Sequence, residues 1–282
     1  MTATPMNPSK NYLGGVGWRK RFYHFWFWRV FRHPLRTMEL RYYKGAPQVQ
    51  EVELLDGRPL WLRVGTSDRS IVWEVFLKDN YRTERIEGRL TCVVDIGAQI
   101  GLFSLKMAPR AERILTFEPE PENFKLLSRN LSGPRHQHVE TFNKAVANRA
   151  GTLRLYMAPS NPGAHTAFPA ETSAVEEYQE VEAVRLPDIL DARKISHIDY
   201  LKLDCEGAEY EIMASLAEWG LDRISYIGME YHPVKDASPE THSGEAIEKL
   251  LCQHGFAVLR LPQKRHPDIG MLYAERPSSP KQ

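Results

Sequence analysis

The sequence predicts an α/β fold around a mostly parallel sheet, preceded by an N-terminal extension of helix and hairpin. From residue 90 to residue 275, short apolar runs of strand length alternate with segments of helical spacing. Two of these runs end in carboxylates, Asp95 and Glu118, at roughly the 20-residue offset of nucleoside-binding sheets. The last two runs, residues 256–260 and 271–274, predict a terminal antiparallel pair. These observations indicate an open sheet with a ligand site at the ends of its strands.

Residues 1–45 form the first predicted zone, a polar tail followed by a helix that is dense in aromatic and basic side chains. The helix covers residues 18–33 and ends before Pro34. Trp26, Trp28 and Phe31 can enter a membrane interface while neighbouring basic residues meet lipid phosphates, or the helix can dock on the domain or on a second subunit. Aromatic residues occupy nearly every face, which favours docking over peripheral membrane contact.

Residues 46–89 predict an accessory unit in front of the sheet. Apolar and polar side chains alternate over residues 49–64 around Asp56 and Gly57, as they do in a hairpin. Residues 70–81 then have helical spacing. We interpret the hairpin and the helix together as a lid.

Residues 90–275 form the main domain, and residues 276–282 form a tail rich in proline and serine. Core strands are predicted at residues 91–94, 114–117, 139–142, 198–203 and 224–229. Helices are predicted at residues 100–107, 121–130, 206–219 and 244–253. Short strands at residues 150–157 and 181–185 flank a loop, residues 158–180, whose length is typical of a binding loop.

The turn after the first core strand discriminates between cofactor classes. Gly97 and Gly101 permit positive φ angles and a close backbone approach to a ligand. A dinucleotide site requires glycine where this chain has Gln99 and Leu102, so a cradle for pyrophosphate is poorly supported. S-adenosylmethionine carries no phosphate and needs backbone groups and a carboxylate such as Asp95 near the turn. The pattern favours S-adenosylmethionine, with a nicotinamide or flavin cofactor as the alternative.

Composition disfavours several classes of protein. Of the 282 residues, 37 are lysine or arginine and 36 are aspartate or glutamate, so a formal charge of +1 offers no field to attract nucleic acid. Three cysteines are too few for a disulfide framework and point to a reducing compartment. No apolar run approaches the ~18 residues of a membrane span. We expect a cytoplasmic protein, with peripheral membrane contact and homo-oligomerisation left open.

Three segments resemble the motifs of the FkbM family of S-adenosylmethionine-dependent methyltransferases, in the order that the family shows. They are Val-Val-Asp-Ile-Gly-Ala-Gln-Ile-Gly-Leu-Phe-Ser from residue 93, Phe-Glu-Pro-Glu-Pro-Glu-Asn-Phe from residue 117, and Leu-Lys-Leu-Asp-Cys-Glu-Gly-Ala-Glu from residue 201. The resemblance covers about residues 70–232. It implies a Rossmann-like, seven-stranded class I methyltransferase sheet with an antiparallel last strand.

The resemblance also implies where a cofactor binds. Asp95 would lie beside the methionine end, Glu118 would bind the ribose, and the segment from Asn143 to Ala145 would border the adenine. Family members usually carry asparagine where this chain has Gln99, a longer amide. The predicted cofactor-binding residues are Asp95, Gly97, Ala98, Gln99, Gly101, Glu118, Pro119, Asn143, Ala145 and Asp204.

Two neighbouring strand ends supply the candidate catalytic residues. Lys202, Asp204 and Glu206 follow one core strand, and Glu230 and His232 follow the next. Because ligand crevices form where parallel strands end, these side chains are expected to share one opening. Asp204 is assigned to contact the cofactor or accept the substrate proton, and His232 or Glu230 to act as base or clamp. Lys202 would neutralise its neighbours, and Glu206 would alternatively lie in the first turn of a helix.

The same oxygen-rich group offers ligands to magnesium or calcium, which can polarise a hydroxyl. We keep a divalent metal as an alternative that is not favoured, and we predict no metal site.

The leading function is O-methyl transfer to a hydroxyl of a glycan, a glycolipid sugar or a polyketide-like small molecule. A nucleic-acid methyltransferase would carry a basic groove or an Asn/Asp-Pro-Pro-aromatic motif, and the motif does not occur in the sequence. The other alternative is a methyltransferase-like adaptor that binds the cofactor and recruits the chain to a membrane or a complex.

Overall fold

The computed structural model describes residues 28–39, 45, 47–156, 178–234 and 237–277. Three sequence-based predictions therefore lie largely outside the described residues. They concern the aromatic helix of residues 18–33, the loop of residues 158–180 and the tail from residue 276.

Helices and strands alternate through most of the described chain. The helices are α1 (Pro34–Glu39), α2 (Asp68–Val72), α3 (Leu102–Met107), α4 (Pro121–Asn130), α5 (Leu186–Ala192), α6 (Glu209–Trp219) and α7 (Gly244–Gln253). The strands are β1 (Gln48–Glu53), β2 (Pro59–Val64), β3 (Leu90–Ile96), β4 (Ala111–Phe117), β5 (Val139–Phe142), β6 (Ala145–Val146), β7 (Gly151–Tyr156), β8 (Tyr178–Val184), β9 (Ile198–Leu203), β10 (Ile224–Tyr231), β11 (Ala257–Pro262) and β12 (Gly270–Glu275). A π-helical turn, Trp73–Leu77, continues α2.

The central sheet has the strand order β11-β12-β10-β9-β3-β4-β5. The pairs β10/β9, β9/β3, β3/β4 and β4/β5 are parallel, whereas β12 is antiparallel to both β10 and β11. The chain leaves β3 on one side through β4 and β5 and returns on the other side through β9, so the order reverses between β3 and β9. The predicted seven-stranded, mostly parallel sheet with an antiparallel last strand is confirmed.

Alternation along the inner strands divides the hydrophobic core between the two faces of the sheet. In β3, Val93 belongs to a cluster that includes side chains of β2, α3 and α4. Cys92, Val94 and Ile96 belong to a second cluster, with side chains of α5, α6 and α7. Burial on both faces explains why the core strands appear in the sequence as nearly continuous apolar runs.

The N-terminal hairpin is packed against the sheet through this first cluster. β1 and β2 pair antiparallel, as predicted. Leu60 and Leu62 of β2 are buried in the same cluster as Val93. The side chain of Asn130 accepts a hydrogen bond from the backbone N–H of Trp61 at 2.7 Å and donates one to its carbonyl at 2.9 Å. The hairpin is thus joined to the domain, and its role as a lid stays a prediction.

The described end of the aromatic segment contacts this hairpin. Phe31 is buried and forms a β-bridge with Leu54, whereas Trp28 is exposed. Phe31 therefore packs on the protein, and the docking of residues 18–33 as a helix stays a prediction. Across the described ranges, no helix combines the length and the apolar character that a membrane crossing requires.

Several element boundaries differ from the predictions, and three of the differences affect residues near the ends of the core strands or before the sheet. The helix expected over residues 70–81 begins at Asp68 and ends as a π turn at Leu77. The helix expected from residue 206 begins at Glu209, because Glu206 and Gly207 have φ angles of 52° and 109°, outside the right-handed helical region. Finally, β10 extends to Tyr231 and therefore includes Glu230.

Candidate active site

A cavity opens where β3 and β9 end, at the reversal of strand order. Counted with its open mouth, it encloses about 1030 Å³. Its wall combines the turn after β3, the ends of β4 and β9, parts of β6 and β7, and residues 71–81. The lining residues with polar or ionisable side chains are Glu74, Tyr81, Gln99, Glu118, Asn123, Lys144, Lys202, Asp204, Cys205 and Glu206.

The base of the cavity depends on a close approach between two backbone segments. Gly97 has a φ angle of 73°, and a Cβ atom there would lie 1.7 Å from the carbonyl oxygen of Asp204. The N–H of Asp204 donates to the carbonyl of Ile96 at 3.2 Å. Only glycine accommodates this approach, so the turns after β3 and β9 are held against each other.

Glu118 follows β4 and contributes a buried carboxylate to the wall. It accepts hydrogen bonds from the backbone N–H groups of Gln99 at 2.8 Å and Glu120 at 3.0 Å. Burial raises the pKa of Glu118 to about 7, and the two N–H groups oppose this shift. The carboxylate can accept further hydrogen bonds from the hydroxyl groups of a ligand.

Gln99 links the cavity to the segment that follows the hairpin. Its side-chain amide donates to Asp68 at 3.1 Å, and the fully buried Asp68 also pairs with Arg63 at 2.9 Å. Gln99 is 8% exposed, and among the described residues its Oε1 has no hydrogen-bond partner. An unpartnered, buried acceptor on the wall suits an ammonium or hydroxyl group of a ligand.

Asp95 is not among the residues that line the cavity, and its expected contact with a cofactor stays a prediction. It is fully buried and accepts from the N–H of Ser104 at 3.2 Å and from its hydroxyl at 2.7 Å. Its other oxygen is 3.3 Å from Nζ of Lys202. Burial opposes the charged amine, but Asp95 raises the pKa of Lys202. Because Lys202 also donates to the carbonyl of Gly97 at 2.5 Å, the pair supports the turn from below.

Four carboxylates gather at the mouth of the cavity. Glu74, Asp204 and Glu206 line it, and Glu230 lies beside Asp204. Burial raises the pKa of Glu206 and of Glu230 to about 7, and the charge of Asp204 acts in the same direction. Burial also raises the pKa of Glu74. Groups that titrate near neutral pH are suited to accept protons.

His232 lies behind these carboxylates and is held by Glu209. Glu209 is fully buried and accepts from the N–H groups of Cys205 at 2.7 Å and Gly207 at 2.9 Å. Nδ1 of His232 is 3.2 Å from Glu209, and Nε2 is 3.7 Å from Glu206. Burial alone lowers the pKa of His232, but the hydrogen bond and charge of Glu209 raise it to about 10. His232 is therefore protonated at neutral pH, which suits a cationic clamp better than a base.

Asp204, Glu230 and His232 offer ligand atoms within 4.8 Å of one another, a spacing that a metal ion could use. A protonated imidazole is not a metal ligand, so an ion would first have to displace the proton that Glu209 stabilises. The absence of a metal site stays a prediction.

Most of the predicted site residues share this cavity. Those that line it are Gly97, Ala98, Gln99, Glu118, Pro119, Ala145, Lys202, Asp204 and Glu206. Those that do not are Asp95, Gly101, Asn143, Glu230 and His232.

Gly101 and Asn143 serve the structure around the site. A Cβ atom at Gly101 would lie 3.1 Å from Leu131 and 3.2 Å from Leu127, so glycine allows α3 to approach α4. Asn143 is exposed, and its amide donates at 2.9 Å to the carbonyls of Glu118 and Pro119. Both residues shape the loops that carry the wall.

Several polar residues on the wall are not among the predicted site residues. Asn123 could have been predicted, because it lies in the predicted helix directly after Glu118. Glu74 and Tyr81 lie in a segment whose spacing indicated only a helix. Lys144 lies between Asn143 and Ala145, which were predicted to contact the cofactor, but no sequence motif includes Lys144 itself.

Comparison with known proteins identifies the family. The family described as the methyltransferase FkbM domain matches residues 95–258, more than half of the chain. The chain belongs to the FkbM methyltransferase family. This FkbM methyltransferase is 32% identical over 216 residues to methyltransferase sdnD of Sordaria araneosa, covering 65% of this chain and 81% of that protein.

A second relative is the 31-O-demethyl-FK506 methyltransferase FkbM of Streptomyces tacrolimicus. It is 28% identical, over 66% of this chain and 80% of that protein. Among solved structures, the methyltransferase FkbM of Methylobacillus flagellatus KT has a TM-score of 0.43 and 13% identity, over 69% of this chain and 46% of that chain. The family match and the relatives establish the predicted enzyme class, a methyltransferase.

Proposed function

We propose that this FkbM methyltransferase transfers a methyl group from S-adenosylmethionine to a hydroxyl group of a small molecule. The observation that carries the proposal is the convergence of Glu118, Gln99 and Asp204 on one cavity. S-adenosylmethionine, when bound, supplies a methyl group activated by a positively charged sulfonium.

The wall provides a partner for each part of this cofactor. Glu118 would accept hydrogen bonds from the ribose hydroxyls, and the amide of Asn123 lies 3.5 Å from the same carboxylate. Val146 and Leu155 offer apolar surface to the adenine. The unpartnered Oε1 of Gln99 suits the ammonium of the methionine end. These contacts would orient the cofactor with its methyl group toward the mouth.

Asp204 marks the end of the cofactor site nearest the mouth. Its backbone lies against Gly97, and its side chain lines the cavity. A carboxylate in this place would attract the positively charged groups of S-adenosylmethionine. We therefore assign Asp204 to cofactor contact.

The carboxylates at the mouth are equipped to accept the proton of the acceptor hydroxyl. An alcohol is a weak nucleophile, and a positioned base contributes roughly 10²–10⁴-fold to the rate. Glu206 and Glu230, with pKa values of about 7, are the proposed proton acceptors. His232 would balance their charge once they ionise, through its 3.7 Å contact with Glu206. Alignment of the hydroxyl by the wall would lower the barrier further.

The acceptor class we propose is a hydroxyl-bearing glycan, glycolipid sugar or polyketide-like small molecule. One relative is named as a 31-O-demethyl-FK506 methyltransferase, and that name describes methylation of an oxygen. The formal charge of +1 supports a small molecule over nucleic acid as the acceptor.

The proposal is tested by labelling. The purified protein is incubated with S-adenosylmethionine carrying an isotopic methyl group and with fractionated extract, and labelled products are located by mass spectrometry. We expect a product that gains one labelled methyl group on oxygen. Label on nitrogen or carbon would contradict the acceptor class, and failure to bind S-adenosylhomocysteine in calorimetry would contradict the cofactor.

A further inference from the structure

Tyr81 reaches the cavity from outside the matched methyltransferase domain, which begins at residue 95. Its side chain is 7% exposed and lines the cavity. Its hydroxyl donates to Oδ2 of Asp204 at 2.7 Å, across 123 residues of sequence. We propose that Tyr81 is a positioning residue that holds the carboxylate of Asp204 in the orientation that contacts the cofactor. This inference rests on the proposed function.

The segment that carries Tyr81 is held in an unusual backbone conformation. Asp79 and Arg82, on either side, have φ angles of 53° and 54°, which residues other than glycine rarely adopt. The carboxylate of Asp79 accepts from the N–H of Thr83 at 3.0 Å and from Nζ of Lys106 at 2.6 Å. A conformation that costs free energy persists where surrounding contacts fix it, and such places are often functional.

The central sheet fixes the same segment from the other side. Tyr273 of β12 donates its hydroxyl to the carbonyl of Asn80 at 2.5 Å, and Tyr200 of β9 donates to the carbonyl of Tyr81. Gly228 of β10 makes room for this second contact, because a Cβ atom there would lie 2.1 Å from the Tyr200 hydroxyl. Three strands thus contribute to placing Tyr81 beside Asp204.

The chemistry of the contact allows only one direction of donation. Burial raises the pKa of Tyr81 well above its ordinary value, and the charge of Asp204 adds to the shift. The phenol therefore stays protonated and donates a hydrogen bond to the carboxylate. Its ring packs edge-on against Phe103 at 5.4 Å between centroids, which restricts rotation of the hydroxyl away from Asp204. Hydrogen bonds to a charged acceptor are stronger than neutral ones and give the carboxylate a fixed orientation.

A double-mutant cycle tests this role. Tyr81→Phe removes the hydroxyl and keeps the ring, and Asp204→Asn removes the charge. S-adenosylhomocysteine affinity is measured by calorimetry for wild type, both single variants and the double variant. We expect Tyr81→Phe to weaken binding by about threefold to tenfold, the range of one net hydrogen bond. In the Asp204→Asn background the same change should have little further effect, because the two residues act as one unit.

Tyr226→Phe is the matched control, since the Tyr226 hydroxyl bonds the carboxylate of Glu275 outside the cavity. Its affinity for S-adenosylhomocysteine should stay within about twofold of wild type, although it also loses a tyrosine–carboxylate hydrogen bond. Equal weakening in both phenylalanine variants, or additive effects in the cycle, would overturn the positioning role. If the wild-type protein binds no S-adenosylhomocysteine, the proposed function itself fails. If the wild type binds it and Tyr81→Phe binds it with the same affinity, only the role of Tyr81 fails.

Discussion

Under the proposed function, the single residue Glu118 makes cofactor binding depend on pH. Burial raises its pKa from an ordinary value of 4.5 to about 7. Ribose hydroxyls would donate to the ionised carboxylate, so protonation competes with binding. The charged fraction increases as pH rises through about 7. We expect the affinity for S-adenosylhomocysteine to increase by up to about tenfold from pH 6 to pH 8.

Calorimetry at several pH values checks this prediction with a matched pair of variants. Glu118→Gln should lower the affinity at pH 8 and reduce its pH dependence. Glu120→Gln is the control, because Glu120 is also buried but caps α4, accepting from the N–H groups of Glu122 at 2.9 Å and Asn123 at 2.6 Å. The control should lose stability and keep its affinity at pH 8, where Glu118 is mostly ionised with or without the charge of Glu120. A wild-type affinity that is flat between pH 6 and pH 8 would refute the assignment.

The sequence predicted which candidate residues lie at the sheet edge where a strand end was visible. Glu118 and Asp204 follow apolar runs that are buried on both faces, so their placement at the sheet edge was predictable. The full burial of Asp95 was not predicted, because β3 continues one residue beyond it to Ile96. The contact of Tyr81 with Asp204 joins distant parts of the chain, and no local pattern signals it.

At the scale of secondary-structure elements, the turn after β3 packs directly against the turn after β9. Gly97 and Gly133 both have positive φ angles, 73° and 94°. A Cβ atom at Gly133 meets nothing within 4 Å, whereas one at Gly97 would overlap the carbonyl of Asp204. Gly133→Ala should therefore lose only about 1–3 kcal/mol of unfolding free energy, the cost of holding alanine at a φ of 94° and a ψ of 174°. Gly97→Ala should lose more than that, because the two turns must separate.

Urea denaturation of the two alanine variants measures this difference. Calorimetry should also show weaker S-adenosylhomocysteine binding for Gly97→Ala and an unchanged affinity for Gly133→Ala. Equal losses of unfolding free energy in the two variants would mean that the close approach of Gly97 to Asp204 does not contribute to stability.

Elements were predictable to the extent that their burial is periodic. The core strands and the helices α4 and α7 appear as apolar runs or helical spacing bounded by proline or glycine. The two-residue strand β6 has no such signal, because it exists through its pairing with β8. The π turn at Trp73–Leu77 was equally hidden, since its side chains have ordinary helical spacing.

At the scale of the whole molecule, one hydrophobic cluster joins the N-terminal hairpin to the sheet. Leu60 and Leu62 of the hairpin and Val93 of the sheet belong to it. The hairpin therefore cannot unfold without exposing the core of the domain. We expect differential scanning calorimetry to show one cooperative transition, with equal calorimetric and van't Hoff enthalpies. Two separated transitions would show instead that residues 46–89 form an independent unit.

At this scale the sequence predicted the class of fold and the reversed last strand. It divided the chain at residue 89 because the spacing changes there, but spacing does not reveal which faces are buried together. The shared cluster follows from tertiary packing of β2 on α4, a contact between segments that are far apart in the chain.

The hydrogen bond between Tyr81 and Asp204 crosses the border of the family domain. Hybrid enzymes that exchange the catalytic module at residue 95 will take the phenol from one parent and the carboxylate from the other. A graft meant to transfer cofactor affinity intact must therefore begin upstream, at or before Asp68, whose carboxylate also holds Gln99.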